Sequence, residues 1–135
     1  MRSPTLYWHI PNKAALVTAL AEAILGEQFS ELPRLKPDER RQDWLTDIAE
    51  RLRRALLAHP DGARILSASQ LSLTMAAISE LAMSGLVARG VALRQARVIV
   101  LTVERFTVGH VLEEQAPRPN ADDVDMARSP SDSRP

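Results

Sequence analysis

The stretch ALRQARVIVLTVERFTVGHVLEEQ, Ala92 to Gln115, decides between a wholly helical protein and a mixed one. Its centre, RVIVLTV at residues 97–103, is β-branched and by propensity suits a strand. Its setting between Ala92-Leu93-Arg94 and Glu104-Arg105-Phe106, with no turn residue before Gly109, favours one long helix. Apolar residues then lie nearly all round it. Ile99, Val103 and Phe106 form the expected inward stripe, and Val98, Leu101 and Val108 lie outside that stripe. A helix apolar on every side needs packing partners on several sides.

Working outward, the remaining segments read as helices too. Asn12 can cap a helix that starts at Lys13, with Leu16, Leu20 and Ile24 on one stripe and Val17, Ala21, Leu25 and Phe29 on the next. Thr18 and Glu22 are expected on its outer side. Pro33 and Pro37 bracket a polar linker. A second helix is predicted from about Glu39 to His59, with Trp44, Leu45, Ile48, Leu52, Ala55 and Leu56 inward. Asp47/Arg51 and Glu50/Arg54 are its outer i,i+4 pairs. Pro60-Asp61-Gly62 breaks it. A short helix over Ala63 to Gln70 and a longer one over Leu73 to Arg89 follow, the latter stopped by Gly90. From Pro117 the chain is rich in proline and polar residues without periodicity, which predicts disorder.

Composition agrees with an all-α domain. Apolar residues make up 45% of the 135, yet only 4% are aromatic, so Ala, Leu, Val and Ile must build the core. The lack of cysteine excludes disulfides and thiolate metal sites. With no apolar run of about 18 residues, neither secretion nor membrane insertion is expected, and a cytoplasmic setting is. A formal net charge of +0 means that nucleic-acid binding needs a local basic patch.

One dense motif stands near the start: TLYWHIPNK, Thr5 to Lys13. Tyr7, His9, Asn12, Lys13 and Leu16, in this order and spacing, resemble the junction between recognition helix and first body helix of the TetR family of helix-turn-helix repressors, in its tetracycline-repressor branch. RALLAHPDGARIL (residues 54–66) and RFTVGHVLEEQ (residues 105–115) resemble helices of that branch's ligand-binding body. The resemblance runs from about Ser3 to Gln115 and is weak between Gln70 and Arg97. It implies a TetR C-terminal-like helical bundle over residues 12–115. A recognition-helix remnant over 1–11 precedes it, and a disordered tail over 116–135 follows.

The same resemblance implies site residues and partners. Pro4 and Tyr7 would pack on bases of a DNA operator, while Thr5, Trp8, His9 and Lys13 would sit on phosphates. Fewer than ten residues precede the motif, too few for the two supporting helices. The family's two final helices have no counterpart in the tail. Truncation at both ends and impaired DNA binding are therefore expected. Phe29, Ile48, Leu52 and Leu66 fall where polar or aromatic drug contacts would be, and Arg105 falls where a histidine would be. Ser69 and Glu113 keep polar character. Magnesium wants oxygen ligands, so a small apolar effector is expected in place of a tetracycline–magnesium complex, with no cofactor. Val98, Leu101 and Val108 are expected to form a homodimer interface.

Two other classes compete. A helical interaction protein could pair with a full-length relative and block its DNA binding. A small enzyme could use His110 and Glu113, which share a helix face, although no third ligand or partner stands nearby in sequence. The regulator reading, without enzymatic activity, accounts for more of the chain. His59, at a helix end before Pro60, is assigned to the helix dipole.

Overall fold

The computed structural model describes residues 12–69 and 72–118. They form five helices: α1 (Lys13–Gly26), α2 (Arg41–Leu57), α3 (Gly62–Ala68), α4 (Leu73–Ala88) and α5 (Leu93–Gln115). There is no strand among the described residues, and the β-branched run over residues 97–103 is helical. No single helix among them is long and apolar enough to cross a membrane. α5 is the spine of the fold, packing on α2, α3 and α4, while α1 lies against α2, α3 and α4.

The helix ends follow local chemistry. Asn12 Oδ1 accepts from the Ala15 N–H at 3.2 Å, satisfying one of the open donors that begin α1. Ser72 does the same for α4, its Oγ accepting from Met75 N–H at 3.1 Å. Gly90 ends that helix with φ 92, a left-handed conformation that costs a residue without Cβ little. Val91 N–H then reaches back to Leu86 O at 3.1 Å.

The core is aliphatic around one large ring. Trp44, 1% exposed, packs with Leu25, Leu52, Leu56, Ile78, Leu86 and Val111. Its indole N–H donates to Pro33 O at 2.7 Å, which ties the linker before α2 to the core. Gly85 lets α4 lie against that ring, since a Cβ there would stand 2.4 Å from Trp44 Cη2. The linker is held from the other side by Arg89, whose guanidinium donates to the carbonyls of Lys36 (2.7 Å), Pro37 (3.2 Å) and Glu39 (2.9 Å). Gln115 joins three elements. Its Nε2 donates to Leu56 O (3.0 Å) in α2 and to His59 O (2.7 Å) just beyond it, and its Oε1 accepts from Ala63 N–H at 3.2 Å in α3.

Four expectations need correction. The inward face of α5 is Ala96, Val100, Thr107 and Val111, whereas Phe106 is 72% exposed and Ile99 is also exposed. In a helix that is apolar all round, periodicity cannot assign the register. Here the close approaches are made by small residues, and the larger ones are left outside. α1 is buried only in its second half, at Ala21, Ile24 and Leu25, with Leu16 59% exposed. Glu22 does not face away: it accepts from Ser72 and Thr74 at the start of α4. Asp47–Arg51 pairs at 3.0 Å, but Glu50–Arg54 is not among the ion pairs of the described residues, and Arg53 instead reaches Glu114 at 3.0 Å.

Candidate functional site

A groove of about 670 Å³ runs between the end of α3, the first half of α4 and the second half of α5. Leu66, Met75, Val108 and Leu112 give it apolar walls, and Ser69, Ser72 and Ser79 add hydroxyls. Glu104 and Arg105 are its two charged lining residues. The helical spacing explains this mixture. Glu104, Val108 and Leu112 recur every four residues on one face of α5, and Met75, Ala76 and Ser79 share a face of α4, with Ser72 capping that helix.

The polar groups of the groove connect it to the neighbouring helices. Ser69 Oγ donates to Thr18 Oγ1 in α1 at 3.5 Å, at the limit of a hydrogen bond. Ser72 Oγ donates to Glu22 Oε1 at 2.6 Å. The Thr74 N–H also donates to that carboxylate, at 3.1 Å, and so does the Thr74 hydroxyl. Burial acts to raise the Glu22 pKa, but the donors from Ser72 and Thr74 outweigh it and leave it lowered. Glu104 is held differently. Ser79 Oγ donates to its Oε1 at 2.5 Å, and burial pushes its carboxyl above the ordinary value despite that bond and the nearby charge of Arg105.

A second, smaller groove of about 400 Å³ lies between α2 and α5, lined mainly by Leu45, Ala49, Val103 and Phe106. His110 also lines it and stacks on the Phe106 ring with centroids 5.9 Å apart. His110 Nε2 stands 3.1 Å from Glu114 Oε1, the same oxygen that receives Arg53.

The structure distributes the sequence-derived residues unevenly. Leu66 and Ser69 line the larger groove, as does Arg105. Phe29, Ile48 and Leu52 are core residues, 5%, 4% and 1% exposed, and do not line it. Glu113 is exposed next to Leu112, and the partner of His110 is Glu114 rather than Glu113. Lys13 is exposed at the start of α1, while Pro4, Thr5, Tyr7, Trp8 and His9 lie outside the described residues. So do residues 119–135, the greater part of the expected tail. Val98 is 62% exposed and Leu101 half-buried, whereas Val108 packs against the core and on the groove. His59 lies past the end of α2, with Nε2 2.9 Å from Glu27 Oε1. Sequence reasoning missed Ser72, Met75, Ser79 and Glu104. A carboxylate between Val103 and Val108 on an apolar helix was the available signal.

Fold and site together define an all-α module whose long spine helix shares a side groove with two shorter helices. Residues 32–133 match the family described as Tetracyclin repressor-like, C-terminal domain, and the chain belongs to that family. It is 37% identical over 116 residues to the class E tetracycline repressor protein of Escherichia coli, covering 86% of this chain and 54% of that one. Over 117 residues it is 39% identical to the class A repressor from transposon 1721 in Escherichia coli, covering 86% and 53%. The chain thus spans about half the length of these relatives. Among solved structures, a TetR variant from Acinetobacter baumannii in complex with minocycline is 35% identical, with a TM-score of 0.73, covering 96% of this chain and 72% of that one. A possible TetR family transcriptional regulator from Streptomyces coelicolor is 28% identical, with a TM-score of 0.77, covering 96% and 65%.

Proposed function

We propose that residues 12–115 are the regulatory body of a TetR-type transcriptional regulator that takes a small effector in the groove between α3, α4 and α5. The observation that carries this is the groove itself, a concave site of ligand size with apolar walls and a few convergent polar groups. The family membership supports it. In this reading Pro4, Thr5, Tyr7, Trp8, His9 and Lys13 contact the operator, and α1 links them to the body.

The groove does not fit the magnesium ion that a tetracycline would bring. A hard cation of that size asks for several oxygen ligands in near-octahedral order. The groove presents one carboxylate already bonded to Ser79, serine hydroxyls that are weak neutral ligands, and the Arg105 guanidinium, which repels a cation. No group of three His, Asp or Glu side chains that could hold a metal occurs among the described residues. An effector bound without metal, largely apolar in its body, suits these walls better. The test is thermal unfolding with such ligands and with tetracycline plus magnesium. A ligand that binds only the folded state adds about 2.7 kcal/mol at a hundredfold excess over its Kd. A rise in Tm with the apolar ligand, lost in Ala76→Trp, supports the reading. A tetracycline shift abolished by chelator overturns it.

The same reading makes the chain a homodimer through the outer face of α5. Val98, 62% exposed, and Phe106, 72% exposed, stand on that face, with Ile99 also exposed. Burying such side chains gains roughly 1.5–3 kcal/mol each, against about 4–15 kcal/mol for association. Concentration-dependent self-association follows, weakened by Val98→Asp. Sedimentation that stays monomeric at about 100 μM, a concentration equivalent to roughly −5.5 kcal/mol, contradicts it.

A polypeptide of these 135 residues, tested by itself, is expected to bind DNA weakly and without sequence preference, because a recognition helix reads a groove only when supporting helices fix it there. A sequence-selective complex tighter than the non-specific range of about 10⁻⁴ to 10⁻⁶ M, seen by mobility shift at physiological salt, would show otherwise.

A further inference from the structure

Glu104 is the one carboxylate among the described residues that line the groove. It stands one turn before Val108 and two before Leu112 on α5, and faces a lining in which Leu66, Met75 and Ala76 alternate with serine hydroxyls. An ionised carboxylate offers about four acceptor positions. Among the described residues one donor reaches Glu104, the Ser79 hydroxyl, and no Lys, Arg or His lies within ion-pair distance of it. Glu22, by contrast, has donors on both oxygens. A partly buried carboxylate without a cation at ion-pair distance is incompletely solvated. No side-chain oxygen or nitrogen of the described residues is buried without a partner, so its open acceptor positions are reached from the groove that it lines. Arg105 is the other charged lining residue. It is exposed, so water screens its field more than that of Glu104.

We propose that Glu104 makes this groove selective for an organic cation, an amine or ammonium group carried on an apolar body. The inference rests on the reading of the groove as the effector site. The cationic head takes the acceptor positions of the Glu104 carboxylate that Ser79 leaves open. The apolar body lies along Leu66, Met75, Val108 and Leu112. Specificity then resides in one ion pair formed on binding, in surroundings where a charge-assisted hydrogen bond is stronger than in water.

Three probes sharing one apolar body test this on the 135-residue chain: 4-butylbenzylammonium, 4-butylbenzyl alcohol and 4-butylbenzoate, with Kd measured by calorimetry. The ammonium is expected to bind about tenfold more tightly than the alcohol, the value of one modest charge-assisted bond, and the benzoate most weakly. In Glu104→Gln, which can keep the Ser79 contact, that preference should fall to within about threefold. A second readout needs no substitution. The ammonium preference of the wild type should shrink as pH is lowered and Glu104 is protonated, with Arg105 remaining charged throughout. Equal binding of ammonium and alcohol, unchanged in Glu104→Gln, overturns the cation proposal and leaves the effector groove standing. Tightest binding of the benzoate overturns it in favour of Arg105. If no probe binds, or if binding survives Ala76→Trp, the groove reading fails and this inference with it.

Discussion

Glu22 and Glu104 are both partly buried carboxylates that meet hydroxyls of α4, and they are held in opposite ways. Glu22, on α1, receives the Ser72 and Thr74 hydroxyls and the Thr74 N–H, and so helps to close the open N-terminus of α4. Burial acts to raise its pKa, and those donors bring the net shift below the ordinary value. Glu104, on α5, has Ser79 alone, and burial leaves its pKa raised. A carboxylate with donors on both oxygens is part of the architecture. One left short of partners beside a groove is a place for a ligand.

The contrast predicts opposite stabilities. Glu22→Ala removes the acceptor of three donors and part of the α4 cap, and should cost about 1.5–3 kcal/mol at neutral pH, read as a lower denaturation midpoint. A loss below about half a kcal/mol would break the comparison by showing that water replaces the carboxylate freely. Ser79→Ala takes the one donor from Glu104 and should cost less, about 1 kcal/mol. It should also push the Glu104 carboxyl further up, which carboxyl-carbon NMR titration would detect. Glu104→Gln should show the smallest effect and the other sign. An amide avoids the burial of charge and can still meet Ser79, so a gain of about 0.5–1 kcal/mol is expected at neutral pH.

The pH dependence of the two variants sharpens the same point. The folded-state pKa of Glu22 is lowered, so its contribution is fully present above the unfolded value and is lost as pH falls through the folded one. The penalty of Glu22→Ala should therefore shrink in acid. For Glu104 the folded value is raised, so its ionised form opposes folding above that value and ceases to do so below the unfolded one. The advantage of Glu104→Gln should disappear as pH falls through this window. Denaturation midpoints measured across the acid range should thus bring both variants toward wild type from opposite sides.

What the sequence made legible follows from local chemistry. Asn12 and Gly90 mark helix ends by capping and handedness, and both do so here. Trp44, Ile48, Leu52, Ala55 and Leu56 formed a clear stripe because α2 is amphipathic. α5 has no such contrast, so its length could be read but its register could not, and Phe106 was expected inside. Long-range polar contacts were not legible at all. The meeting of Glu22 with Ser72, or of Gln115 with Leu56 and His59, joins residues some fifty or more positions apart that no periodicity relates. Of the residues assigned to the ligand only Leu66 and Ser69 line the groove, since α4 lies where the resemblance to relatives is weakest.

Methyl NMR of the 135-residue chain titrated with 4-butylbenzyl alcohol tests whether the groove between α3, α4 and α5 is the effector site. Saturable shifts centred on Leu66, Met75, Val108 and Leu112, which line that groove, are expected. Leu45 and Val103, which line the groove between α2 and α5, should stay nearly still. Shifts centred on Leu45 and Val103, with Met75 and Leu112 unmoved, would place the ligand in the other groove and contradict that assignment.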